Sequence, residues 1–157
     1  MYNKPDPKDL DIPHLEAMLI NKEDGHNYNL YERYRALFTL RELNSKESVI
    51  AICSSLLQEN MDTCSPLLKH EVAYVLAQME DVNEHSVPFL LGSVLNDDEA
   101  PIVRHEALIA VGEMIDDKEQ LAHLALHKED IVKESAQVAI RNIQNRLAEE
   151  EYFAKKE

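Results

Sequence analysis

The chain has 157 residues, the size of one domain, and its 45% hydrophobic content is enough for one core. Thirty acidic residues against 16 basic ones give a formal net charge of −14. That charge argues against a general binder of nucleic acid or of anionic membranes, because both need positive charge facing phosphate.

Apolar residues recur at helical spacing in eight segments, and the three glycines and absent tryptophan also favour helices over a sheet with many tight turns. Ser45, Ser65 before Pro66, and Asn83 are expected to cap helix starts. The predicted helices cover about residues 10–19, 30–43, 46–57, 66–79, 84–95, 101–115, 118–127 and 131–148, between an irregular arm (1–9) and a charged, frayed tail (149–157).

Residues 68–77 and 103–112 repeat one another, and each stretch carries a His-Glu pair at the same place in its pattern. The apolar pattern extends upstream, with Tyr34 at the His position, and downstream, with Glu134 there. Four such copies indicate helical hairpins, each too small to bury its apolar face alone. Recurrent alanines in the second helix of each pair favour close packing, so the predicted fold is an all-α solenoid of about four HEAT-like hairpins.

The two His-Glu pairs, His70 with Glu71 and His105 with Glu106, are the candidate site. Stacked hairpins place equivalent second helices side by side, so the two pairs should lie on neighbouring helices. Their nitrogen and oxygen donors suit iron, manganese or zinc. Adjacent helical residues point about 100° apart, so one pair cannot chelate a metal alone. The histidine of each pair and one glutamate can instead converge between helices. Repeat duplication alone could also generate the pairs, which would then be surface or capping features.

Other features of the chain point to an intracellular protein. Cys53 and Cys64 are expected to be reduced thiols, and their spacing matches no recognised metal motif. The chain contains no apolar run of membrane-spanning length and no targeting pattern at its start. We therefore expect a cytoplasmic location without membrane association.

Three motifs, LYERYRALFTLR (30–41), LKHEVAYVLAQ (68–78) and VRHEA (103–107), resemble the deoxyhypusine hydroxylase family in order and spacing, over about residues 30–144. The resemblance implies a HEAT-repeat di-iron monooxygenase that uses molecular oxygen to hydroxylate the deoxyhypusine side chain of eukaryotic translation initiation factor 5A. It further implies that His70, Glu71, His105 and Glu106 bind Fe(II), with Glu71 or Glu106 also contacting the substrate amine as a catalytic residue.

Members of that family carry two such halves in one chain, and this sequence resembles the C-terminal half alone. Three explanations are open: the sequence is a truncated part of a longer chain, it pairs with a separate N-terminal half, or it is a natural single-half protein. For the last case our hypothesis is a homodimer in which two copies rebuild the four-pair site about a twofold axis. Two alternatives remain: a non-catalytic HEAT scaffold that binds a protein, and another HEAT-like enzyme related to the bilin lyases. The latter gives no reason for paired His-Glu.

Overall fold

The computed structural model describes residues 10–58 and 65–156, and their regular structure is entirely helical. Short 3₁₀ turns follow or precede the α-helices at Ser54–Leu57, Asn83–Ser86 and Leu124–Leu126. The predicted all-α solenoid of eight helices is confirmed over this part of the chain. The α-helices are α1 (Ile12–Ile20), α2 (Leu30–Leu43), α3 (Lys46–Cys53), α4 (Pro66–Gln78), α5 (Val87–Leu95), α6 (Pro101–Met114), α7 (Glu119–Ala122) and α8 (Asp130–Ala154).

Local sequence explains where several helices begin and end. Asn29 caps α2 in a reciprocal capping box with Glu32, and Ser45 does the same for α3 with Ser48. Asn44 ends α2 in the left-handed conformation, with φ of 45°, which asparagine tolerates better than most residues. Asn44 and Ser45 therefore define the turn that joins the first hairpin, which ends with α2, to the second, which begins with α3.

Three predicted helices differ at their ends. The third and seventh are shorter α-helices that finish in 3₁₀ turns, Ser54–Leu57 and Leu124–Leu126, because the tighter winding satisfies the last carbonyl groups. Asn83 does not cap the fifth helix. It begins a 3₁₀ turn, and its side-chain amide instead donates to the carbonyl of Ala77 at 3.3 Å.

The charged segment 149–157, predicted as a frayed tail, is instead helical as far as Ala154. The Lys155 ammonium lies 2.5 Å from the Glu151 carboxylate one turn earlier, and such pairs support an exposed helix. The predicted irregular arm, Cys64 and the rest of the connector 59–64 lie outside the described residues, whereas Cys53 is a buried free thiol.

The second helices of the hairpins, α2, α4, α6 and α8, pack side by side in chain order. Their small residues make this possible, as predicted. Gly112 shows how close α6 and α8 come, because a Cβ added there would lie 2.9 Å from the Cβ of Ala139. The alanines at these helix contacts, Ala36, Ala73, Ala107, Ala110, Ala136 and Ala139, are buried.

No helix in the described ranges has the length and apolar composition of a membrane span.

Each of the first three hairpins buries one basic side chain, which joins its two helices and also reaches the next hairpin. We call these contacts the cation relay. Each cation binds the carbonyl at the end of its hairpin's first helix: Arg33 Nε to Leu19 O at 2.8 Å, Lys69 Nζ to Gln58 O, and Arg104 Nε to Val94 O at 2.9 Å. Each also binds a side chain of the following hairpin: Arg33 to Gln58 at 3.4 Å, Lys69 to Glu99 at 2.8 Å, and Arg104 to Glu129 at 2.6 Å.

Candidate metal centre

The helix starts place both His-Glu pairs at the same height in the stack. Proline occupies the first position of α4 (Pro66) and of α6 (Pro101), where its fixed φ suits a helix and its missing N–H costs nothing. The His-Glu pair follows about one turn later in each helix. Because α4 and α6 are packed neighbours, the pairs lie on adjacent helices near their N-terminal ends, as the sequence predicts.

His70 and Glu106 meet between these two helices. Nε2 of His70 lies 3.3 Å from Oε2 of Glu106, and the side chains are 29% and 18% exposed. A half-buried contact of this kind keeps both groups accessible from one side while limiting their motion. The structure therefore brings together one histidine and one glutamate of the predicted set.

His105 is directed toward the next helix of the stack. Its Nδ1 lies 2.8 Å from the hydroxyl oxygen of Ser135 on α8. Ser135 is only 2% exposed, so this contact lies within the packed interface between α6 and α8.

Glu71 is the electrostatic neighbour of Tyr34 on α2. Burial raises the pKa of the Tyr34 phenol, and the negative charge of Glu71 raises it further. The Tyr34 hydroxyl donates to the carbonyl of Leu67 at 3.4 Å. The pairings Tyr34 with Glu71, His70 with Glu106, and His105 with Ser135 thus run in one direction from helix to helix.

Two turns beyond Glu106 on α6, the pKa of the Glu113 carboxyl is also raised. Partial burial is the main cause and the charge of Glu106 adds to it, while Arg146 opposes both. The carboxyl groups of Glu106 and Glu113 therefore interact along this face of α6.

The donor atoms of these side chains fit part of a metal centre. Imidazole nitrogen and carboxylate oxygen suit iron or zinc, and Nδ1 of His70 is buried without a hydrogen-bond partner among the described residues. Within residues 10–58 and 65–156, however, no three His, Cys, Asp or Glu side chains are grouped so as to hold a metal. Completing a coordination sphere would therefore require ligands from another chain or a rearrangement of these side chains. The assignment of all four residues as ligands stays a prediction.

Ser135 was not predicted as a site residue, although the repeat pattern contains a signal for it. Ser135 follows Glu134 as Glu106 follows His105, so it occupies the Glu position of the last repeat. Glu134 itself is exposed, as expected for a solvated carboxylate. Aligning the fourth repeat by both positions of the pair would have singled out the serine.

The fold and the repeated pairs together define a helical-repeat protein of HEAT type. The chain is 38% identical over 150 residues to a deoxyhypusine hydroxylase of Eremothecium gossypii, covering 89% of this chain and 43% of the relative. The deoxyhypusine hydroxylase of Mus musculus is 40% identical over 114 residues, which are 71% of this chain and 35% of that protein. No protein-family model matches the chain.

The fold comparison agrees with the sequence comparison. A structure of human deoxyhypusine hydroxylase in complex with glycerol matches 90% of this chain and 46% of that one, with a TM-score of 0.71 and 31% identity. The chain thus resembles deoxyhypusine hydroxylases over most of its own length, which confirms the predicted resemblance. It spans less than half the length of the curated relatives it matches.

Proposed function

We propose that the chain forms one half of an iron-dependent monooxygenase that hydroxylates the deoxyhypusine side chain of eukaryotic translation initiation factor 5A. The similarity to deoxyhypusine hydroxylases supports this reaction class. The observation that carries the proposal is the His70–Glu106 contact between equivalent positions of adjacent helices, where a nitrogen and an oxygen donor already lie within one ion's reach.

The four paired residues have distinct roles in this proposal. His70, His105 and Glu106 would hold Fe(II), which when bound supplies the activation of molecular oxygen. Glu71 makes no hydrogen bond with any described residue and is half-buried beside Tyr34. Its carboxylate is therefore available to attract and orient the ammonium group of the substrate side chain.

A second copy of the chain would complete the site. Pairing about a twofold axis presents the same surface from both subunits and would assemble two His-Glu pairs from each. With a net charge of −14 on each chain, two metal-free copies repel one another. Divalent cations bound at the shared site would offset that repulsion, so the dimer is expected to depend on metal. A separate chain that carries the other half could fill the same role.

Light scattering combined with metal analysis tests the assembly. With Fe(II) under anaerobic conditions, we expect a mass of two 18.0 kDa chains and bound iron. His70→Ala and His105→Ala should lose iron and the dimer while remaining folded by circular dichroism, whereas the exposed His123→Ala should keep both. A metal-free monomer at micromolar concentration in excess Fe(II) would refute the homodimer.

The reaction is tested by supplying the assembled protein with deoxyhypusine-containing initiation factor, Fe(II), a reductant and oxygen. Mass spectrometry should show one added oxygen atom on the modified residue, and Glu71→Gln should abolish it without loss of iron. If an iron-loaded dimer leaves the substrate unchanged, the proposed activity is wrong.

A non-catalytic HEAT scaffold is the second candidate, favoured by the lack of any three grouped metal ligands in the described ranges. Under this alternative, His70→Ala and His105→Ala leave both folding and binding of the initiation factor unchanged. The hydroxylase proposal predicts instead that the melting temperature rises with Fe(II) in the parent protein and not in these variants.

A further inference from the structure

The two histidines of the candidate site are held differently. His70 turns Nε2 toward Glu106, and its Nδ1 is buried without a partner among the described residues. His105 instead turns Nδ1 toward Ser135, at 2.8 Å. Its Nε2 makes no hydrogen bond with a described residue and is not among the buried unpaired polar atoms, so this nitrogen is open to solvent.

We infer that Ser135 is the positioning residue of His105, holding the imidazole through Nδ1 so that Nε2 faces the ligand. This inference rests on the proposed metal site and names a residue that acts on it through His105. Histidines that bind metal through one nitrogen are generally oriented by a hydrogen bond at the other. Ser135 is well suited to that task because it lies in the tightly packed contact of α6 with α8 and cannot move freely.

A hydroxyl group can keep this contact whether or not a cation is bound to Nε2 of His105. Within the described part of the chain Ser135 Oγ has no other hydrogen bond, so without a ligand its O–H is satisfied by donating to Nδ1. That leaves the proton of the neutral ring on Nε2. When a cation takes Nε2, the ring proton moves to Nδ1, which then donates to the same oxygen, because a hydroxyl both donates and accepts. A carboxylate, such as Glu106 beside His70, can only accept when ionised.

Nitrogen NMR of the histidine rings tests the inference without activity. In metal-free protein with neutral rings, His105 should be predominantly protonated on Nε2, and Ser135→Ala should give a mixture of both tautomers. Ser135→Thr keeps the hydroxyl and should preserve the parent pattern. The matched control is Ser93→Ala, which removes another buried serine hydroxyl, one without a partner in the described ranges, and it should leave the His105 signals unchanged.

Zn²⁺ binding measured by calorimetry supplies the second readout. Ser135→Ala should weaken Zn²⁺ binding by about 10- to 100-fold, the usual effect of removing a group that orients a metal ligand, and Ser93→Ala should not. The inference is overturned if folded Ser135→Ala changes neither tautomer nor affinity, or changes both no more than Ser93→Ala does. If the parent protein binds no Zn²⁺ while Ser135→Ala still alters the His105 tautomer, the metal site fails and the positioning role stands.

Discussion

Replacing Lys69 with methionine tests how much the cation relay contributes to the free energy of unfolding. The side chains of Lys69 and Glu99 are 2% and 1% exposed, and Nζ lies 2.8 Å from Oε2. Methionine keeps much of the volume of the lysine stem but leaves the carboxylate without this cation. Because removing one partner of a buried ion pair costs about 3–5 kcal/mol, the free energy of unfolding should fall by that amount. For a chain of this size the melting temperature should fall by about 6–20 °C, as measured by circular dichroism.

Two further variants separate the ion pair from general packing. Lys69→Met with Glu99→Gln removes both charges and should recover much of the loss, since the neutral amide would leave no buried charge uncompensated. Lys133→Met is the matched control, because Lys133 occupies the same repeat position but bonds to Asp130 on its own helix and is 39% exposed. Its melting temperature should stay close to that of the parent. Equal melting of Lys69→Met and Lys133→Met, or no recovery in the double variant, would refute the reasoning.

Two other substitutions probe packing and ionisation. Gly112→Ala should lower the free energy of unfolding by about 1–3 kcal/mol, because the new methyl group would lie 2.9 Å from the Cβ of Ala139. Urea titrations measure this loss. Gly92→Ala is the control, because a Cβ added at Gly92 would have no neighbouring atom within 4 Å. The hydrogen bond from Tyr28 to Glu23 raises the pKa of that phenol to about 12, from an ordinary 10.0. The stability it contributes is therefore complete below pH 10 and is lost as pH rises toward 12. Ultraviolet titration of Glu23→Gln should show one tyrosine ionising at lower pH, and an unchanged curve would contradict this assignment.

Helical periodicity and small residues made the fold predictable. Each second helix shows the same apolar pattern, and residues such as Ala73 and Ala107 are buried where the pattern places them. Local sequence was less informative at helix ends. Whether Leu57 continues an α-helix or closes a 3₁₀ turn depends on which groups satisfy the last carbonyl groups, and the carbonyl of Gln58 is bound by Lys69 on the second helix of the same hairpin.

The cation relay was visible in the sequence only as a basic residue before each His position. Its meaning depends on tertiary packing, because the same position is buried at Lys69 and half-exposed at Lys133. No local rule distinguishes these two lysines. They differ in their partners, because Lys69 binds the acidic side chain of Glu99 in the following hairpin, whereas Lys133 binds Asp130 on its own helix.

The sequence singles out the four His-Glu residues as candidates but does not determine which side chains meet. The sequence places both histidines at equivalent heights, which suggests that they converge with one glutamate. Packing instead offsets the contacts by one residue, so that His70 meets Glu106 and His105 meets Ser135. Such an offset depends on the rotation of each helix about its axis, which periodicity does not fix to within one side chain.

The cation relay also affects the cooperativity of unfolding. Stacked repeats commonly unfold in stages, since each contacts only its neighbours. Here, detaching Glu99 from Lys69, or Glu129 from Arg104, would break an ion pair whose cation is nearly inaccessible to solvent in the native protein. Intermediates with one hairpin detached at these junctions are therefore disfavoured, and the solenoid should melt as a single cooperative unit, with hydrogen exchange in α4 and α6 reporting the same opening free energy.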